Sequence, residues 1–254
     1  MTPPITRTEV WLFFAVLALS LLAAFAPPLA QDPHFHDFAD QRTWLGIPCA
    51  LDVLSNLPFA LFGLLGLHVL RRVPATALPT PQRQLATLFF AGLILTALCS
   101  AWYHWAPDNA GLAVDRLGMT VAFAGLLGLG VAAHMGARAA WWFAGVVLLG
   151  GPLSVAVWSA SGNLLPWAVL QGGGMVLLLV LAFMQPLPGA LAVRWGAVIA
   201  VYVVAKAAEQ YDAAVFAATG QIISGHSLKH LVAAFAAWPV ITALHRLGQN
   251  ASQS

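Results

Sequence analysis

Leu85-Ala-Thr-Leu-Phe-Phe-Ala-Gly-Leu-Ile-Leu-Thr-Ala-Leu-Cys-Ser-Ala-Trp-Tyr103, closed by His104, runs nineteen residues without a charge before it meets an imidazole. A helix needs roughly 20 apolar residues to cross the hydrocarbon core of a bilayer, so this stretch reads as a membrane span with its chemistry at one end. Ser100 and His104 are four residues apart there, on one helical face and about one turn from each other.

Outward from this run the same ruler finds seven more, giving eight in all: 10–26, 53–70, 85–103, 112–133, 140–160, 164–184, 191–208 and 227–244. The connections are short and marked by proline, glycine and polar residues. The composition agrees: 254 residues, 60% hydrophobic and only 8% charged, with a mean hydropathy of +0.82, exclude a soluble domain. In lipid the backbone must satisfy its own hydrogen bonds, and the runs lack the alternation of a barrel, so the spans are helices. The expected fold is all-α, a polytopic membrane helix bundle. A net charge of +2 gives no reason to expect a nucleic-acid partner, and Cys49 and Cys99 make no disulfide framework. Pro27-Pro-Leu-Ala30 after the first run could pass for a signal-peptide cleavage site; the length of the run favours a retained helix.

Arg7, Arg71, Arg72, Arg83, Arg138, Arg194 and Arg246 fall on one side when the loops are read alternately, and the positive-inside rule assigns that side, with both termini, to the cytoplasm. Eight of the nine acidic residues, all but Glu9, fall at the opposite ends. The third run thus delivers Ser100 and His104 to the exterior side. The fourth returns inward with Asp115 in its first turn. The eighth also runs inward, with His226 and His230 of His226-Ser-Leu-Lys-His230 at its start, one turn apart on one face. Arginine placement and the positions of these five polar residues are independent, and they agree.

Three neutral imidazoles suit zinc and leave a fourth tetrahedral position open, the pattern of a catalytic site. Bound zinc lowers the pKa of its water towards about 7. Asp115 could accept the proton, and Ser100 could orient the water or donate to a developing oxyanion. Each residue alone has a plainer reading: Asp115 as a helix cap, a lone histidine such as His68 or His134 as a bonder between helices. Bis-histidine haem competes as a cofactor, but its ligands approach from opposite sides of a ring, whereas His226 and His230 share a face. Tyr202, Lys206, Glu209 and Asp212 recur on one face of the seventh run, where Lys206 with Glu209 reads as a neutralised pair or Glu209 as a carboxylate behind a ligand histidine. Gly125, Gly128, Gly172, Gly173 and Gly174 read as close-packing positions.

The set Ser-x-x-x-His, an aspartate at the start of the next helix, and His-x-x-x-His on the last helix resembles the alkaline ceramidases, within a membrane-hydrolase superfamily that includes adiponectin-type receptors. Phe38-Ala-Asp-Gln-Arg-Thr-Trp-Leu-Gly-Ile-Pro48, Asp52-Val-Leu-Ser-Asn-Leu-Pro-Phe59, Ala106-Pro-Asp-Asn-Ala110 and Val114-Asp-Arg-Leu-Gly-Met119 extend the likeness to the bacterial branch, over roughly residues 40–244. The resemblance implies a seven-helix core in 31–254 preceded by an added transmembrane helix in 1–30. It also implies zinc on His104, His226 and His230, with Ser100 and Asp115 beside the reacting water, and a bacterial inner-membrane location. The implied reaction is hydrolysis of the amide of ceramide, or of another N-acyl lipid, to fatty acid and amine. Some members also bind calcium before the first core helix; here Asp40, Asp52 and Asn56 are available, but a tight acidic cluster is missing. A lipid receptor or lipid-binding protein of the same architecture, with a structural metal, is the alternative.

Overall fold

The computed structural model describes residues 4–251. These form an all-helical bundle: α1 (Arg7–Phe25), α2 (Ala50–Leu54), α3 (Leu57–Arg72), α4 (Thr80–Trp105), α5 (Asn109–Met135), α6 (Ala137–Ser161), α7 (Leu165–Phe183), α8 (Trp195–Gln210), α9 (Asp212–Ala218), α10 (Gly225–Ala234), a 3₁₀ turn (Phe235–Ala237) and α11 (Trp238–Ala251). Among the described residues seven stretches are long and apolar enough to cross a membrane, with α2–α3 counting as one and α10–α11 as another. The chain is an integral membrane protein.

The sequence places eight spans, and the difference falls on the run 191–208. Its helix, α8, begins only at Trp195 and has 16 residues, about 24 Å at 1.5 Å per residue, short of a roughly 30 Å hydrocarbon core. It nevertheless runs from the loop beside Gln82 at the start of α4 to the start of α10 beside Ala208, so among the described residues the chain still passes eight times between the two ends of the bundle. The lost turn is spent in a loop, where the Leu191 N–H donates to Gln82 Oε1 at 2.8 Å. The eighth run is divided as well: Pro239, which has no N–H to give, is the second residue of α11 and follows the 3₁₀ turn.

The bundle is built around α4 and α5, which approach so closely that only glycine fits. A Cβ on Gly125 would lie 2.2 Å from the Phe89 backbone nitrogen, and one on Gly92 would lie 2.4 Å from that of Ala122. Gly128, Gly173 and Gly174 also face side chains within 3.0 Å of where a Cβ would be, whereas Gly172 faces open space and plays no packing part.

At one end of the bundle, Arg83 donates to the carbonyls of Leu70, in the last turn of α3, and of Val73 and Pro74 just after it. Arg138, at the start of α6, pairs with Glu9, at the start of α1, at 2.5 Å. Gly248 near the end of α11 lies against Val73. The arginine-rich end therefore gathers the beginnings of α1, α4 and α6 and the end of α11. The other end is roofed by an irregular strap, residues 26–49, and holds His104 and the start of α10.

At this second end α5 begins at Asn109, before the apolar run, and is capped by Asp108, whose side chain accepts from the Gly111 N–H at 2.6 Å. Asp115 is consequently in the second turn rather than the first, and it is not the helix cap. His134 bonds the Gly130 carbonyl of its own helix at 2.8 Å, and His68 is exposed, so neither joins two helices through a bond seen here.

Candidate metal centre

His104 arrives one residue before the end of α4, and His226 and His230 occupy the first two turns of α10. Residues 122 positions apart meet because the start of α10 is seated by several bonds. The Ser224 hydroxyl caps α10 by accepting from Ser227 N at 3.0 Å. Asp52 Oδ1 accepts from the Ser227 hydroxyl at 2.5 Å, and Asp212 Oδ1 accepts from the His226 N–H at 2.7 Å. Gly225 permits the approach, since a Cβ there would lie 2.1 Å from the Ala208 carbonyl oxygen.

The three imidazoles are 1%, 5% and 3% exposed, and their ring centroids form a nearly equilateral triangle of 4.8, 4.8 and 4.9 Å. His104 Nε2 and His226 Nε2 are 3.3 Å apart. A tetrahedral zinc with Zn–N of about 2.0–2.1 Å holds its ligand nitrogens roughly 3.3–3.4 Å apart, so the pair is spaced as one edge of such a site would be. Among the described residues this is the group of three or more His, Cys, Asp or Glu side chains whose donor atoms converge, all within 4.8 Å of one another.

The tautomer of His230 is set by Ser55. Its hydroxyl is 2.8 Å from His230 Nδ1 and donates its one proton to the Asp52 carbonyl at 3.0 Å. It must therefore accept from Nδ1–H, which leaves Nε2 with a free lone pair for a metal. His104 Nδ1 is buried without a hydrogen-bond partner. The Phe38 ring closes the site from the strap, with its centroid 4.2 Å from that of His226 and 4.9 Å from that of His104.

Ser100 and Asp115, 3% and 9% exposed, come together with the histidines. Ser100 and Asp115 are neighbours in the wall of one cavity, and Asp115 Oδ1 is buried and has no hydrogen-bond partner. Both line a cavity of about 170 Å³ that His230 also lines, walled further on by apolar side chains such as Phe59, Phe89 and Leu93. All five polar residues expected from the sequence are buried; Ser100, Asp115 and His230 line this cavity, and His104 and His226 pack against His230 without lining it.

Lys229 and Ser55 were not singled out by spacing. Lys229 Nζ lies 3.0 Å from His226 Nε2 and 2.9 Å from Glu209 Oε1, and Glu209 also pairs with Lys206. Glu209 therefore reaches the histidines through Lys229 rather than directly, and Lys206 with Glu209 is part of a triad rather than a closed pair. Asp212 begins the separate helix α9 and bonds backbone N–H groups of His226 and Ala39. Lys229 sits inside the His-x-x-x-His motif itself, so its position was the available signal; Ser55 had none beyond its place between Asp52 and Asn56.

The acidic residues before α3 do not fit calcium, which takes 6–8 oxygen ligands. Both Asp40 carboxylate oxygens accept from Arg42, at 2.7 Å each, and the guanidinium holds the carboxyl below the usual carboxylate range. Asp52 is turned towards Ser227, and only its Oδ2 and Asn56 Oδ1 are without partners. Compared with known proteins, the chain matches no family model and no curated protein.

Proposed function

We propose that the protein is a zinc-dependent intramembrane amidohydrolase that cleaves an N-acyl lipid, of the alkaline-ceramidase type. One observation carries this reading: three buried imidazoles bring their donor atoms within 4.8 Å of one another, and one of them, His230, lines a cavity with Ser100 and Asp115, whose carboxylate keeps an unpartnered oxygen. His104, His226 and His230 would hold the zinc, which would supply a Lewis acid and lower the pKa of a water towards about 7.

The chain's own groups do the rest. Asp115 takes a proton from the water as it attacks the amide carbonyl carbon and passes it to the departing nitrogen as the C–N bond breaks, giving a fatty acid and an amine. Ser100 steadies the water or the developing oxyanion. Phe38 and the strap exclude bulk water, and the apolar wall of the cavity receives acyl chain. A lipid receptor with a purely structural metal would not need a buried carboxylate with an unpartnered oxygen beside the cavity, which favours the enzyme. The same reading places the protein in a bacterial inner membrane with both termini cytoplasmic and the histidine end exterior, following the arginines.

The test is hydrolysis of a panel of N-acyl lipids, including ceramide, together with zinc content, on wild type and Asp115→Asn. The variant is expected to keep its zinc and lose roughly 10²–10⁴ in turnover. An Asp115→Asn protein that retains zinc and wild-type turnover refutes the mechanism.

A further inference from the structure

Glu209 lies between two ammonium groups: Lys229 Nζ is 2.9 Å from Oε1, and Lys206 Nζ bonds Oε2. All three side chains line the same cavity as Ser100, Asp115 and His230. Two lysines share this one carboxylate, and Asp115 is the other acidic side chain among the residues lining the cavity that could balance the second of them. Asp115 cannot serve as that partner and as the base at once. A divalent ion on the histidines would raise the positive balance of the cavity further.

The bond from Lys229 to His226 sharpens the point. His226 Nε2 has one lone pair, which Lys229 meets at 3.0 Å. A metal and an ammonium cannot both use it. When the nitrogen ligates, Lys229 loses that acceptor and remains held by Glu209, with donors to spare next to the reacting centre.

We propose that Lys206 and Lys229, held by Glu209, form a subsite for a carboxylate on a lipid, so that the amide substrate is an N-acyl amino acid rather than a neutral N-acyl sphingoid base. The inference rests on the amidohydrolase reading and names its substrate class. A free fatty acid, the product of the same reaction, offers the same carboxylate. The reaction balances as water adding to the acyl carbon and the C–N bond breaking, which gives a fatty acid and a free amino acid.

The probes are N-palmitoylglycine, palmitate and the neutral N-palmitoylethanolamine. Binding to zinc-loaded protein in nanodiscs is measured by equilibrium partition, with Asp115→Asn in the background to prevent turnover. N-palmitoylglycine is expected to bind about 10-fold or more tighter than N-palmitoylethanolamine, the difference that a charge-assisted hydrogen bond makes. Lys206→Gln should remove most of that preference while zinc content is unchanged, and Lys206→Arg should restore part of it. The metal-free protein should show a smaller preference, because Lys229 then bonds His226. Palmitate binding with the same dependence on Lys206 assigns the subsite to the product as well. Equal binding of charged and neutral amides by wild-type side chains at 206 and 229, or a preference that survives Lys206→Gln, overturns the proposal. Hydrolysis of the same amides by protein with Asp115 intact separates the two readings. Hydrolysis without a carboxylate preference leaves the amidohydrolase and removes the subsite; the preference without hydrolysis keeps the subsite and removes the amidohydrolase.

Discussion

α5 and α1 are both long apolar helices, yet 78% of an 18-residue apolar stretch of α5 is buried inside the protein and only 6% of such a stretch of α1. α5 is clamped to α4 through glycine and carries Asp115. α1 is tied at its two ends, by Glu9 to Arg138 and, in the chain just beyond it, by Leu29 to Asn163 and Leu164. Between those ties it touches α7 where Leu19 meets Gly173 and α6 where Phe13 lies beside Trp142, and around these contacts it leaves an apolar space of about 730 Å³. Lipid tails are as apolar as a protein interior, so a membrane sequence looks alike whether its helix faces lipid or protein. Small residues and buried polar groups, not hydropathy, tell the scaffold of the site from a helix at its edge.

The most drastic way to test that contrast is to empty the site while leaving the scaffold. A His226→Ala, His230→Ala double variant removes two of three ligands, and zinc content is expected to fall from about one per chain to none detectable, while the helical content by circular dichroism stays the same. Full zinc occupancy in that variant would sink the assignment of the centre.

Next comes the scaffold itself. Gly125→Leu drives a side chain into the Phe89 backbone, where a Cβ already has no room. Overpacking costs typically 1–3 kcal/mol, and more than about 3 kcal/mol is expected where the neighbour is backbone and cannot swing aside. Thermal unfolding in detergent reads it, and an unchanged midpoint would mean that α4 and α5 are not in close contact.

A smaller effect is expected one step behind the ligands. Ser55→Ala removes the acceptor of His230 Nδ1–H and frees the imidazole to rotate or change tautomer, so zinc affinity should drop about 10–100-fold with stability little altered. Competition with a chelator of known affinity measures this; wild-type affinity would show that packing alone orients the ring.

Much of this was legible in sequence for a physical reason. Span-length apolar runs and the side on which arginines fall are local properties, and they yield the helical bundle with its arginine-rich and histidine-bearing ends. The trio His104, His226 and His230 was legible because ionisable groups are rare in such runs. Less legible were features set by distant packing. Where α8 begins depends on a bond from Leu191 to Gln82, and the Ser55 contact spans 175 residues. The cap of α5 lies before the apolar run, so Asp115 read from that run looked like a first-turn residue.

The smallest expected effect makes the comparison between the two sides of the bundle sharpest, because it uses the same substitution twice. Gly172 and Gly125 both sit inside apolar helices and read identically in sequence, as residues that let helices approach. Gly172 on α7 is exposed and has nothing within 4 Å of where a Cβ would be, whereas Gly125 has the Phe89 backbone at 2.2 Å. Alanine at 125 should therefore force α4 and α5 apart. Alanine at 172 meets no neighbour and restricts the unfolded chain, so it should be neutral or stabilise by up to about 1 kcal/mol, the helix-propensity difference between the two residues. Unfolding midpoints of Gly125→Ala and Gly172→Ala, taken with the zinc content of each, decide the matter. Equal destabilisation would mean that α7 is packed against something on that face, and the loose side of the bundle would then be an assembly surface rather than one turned to lipid.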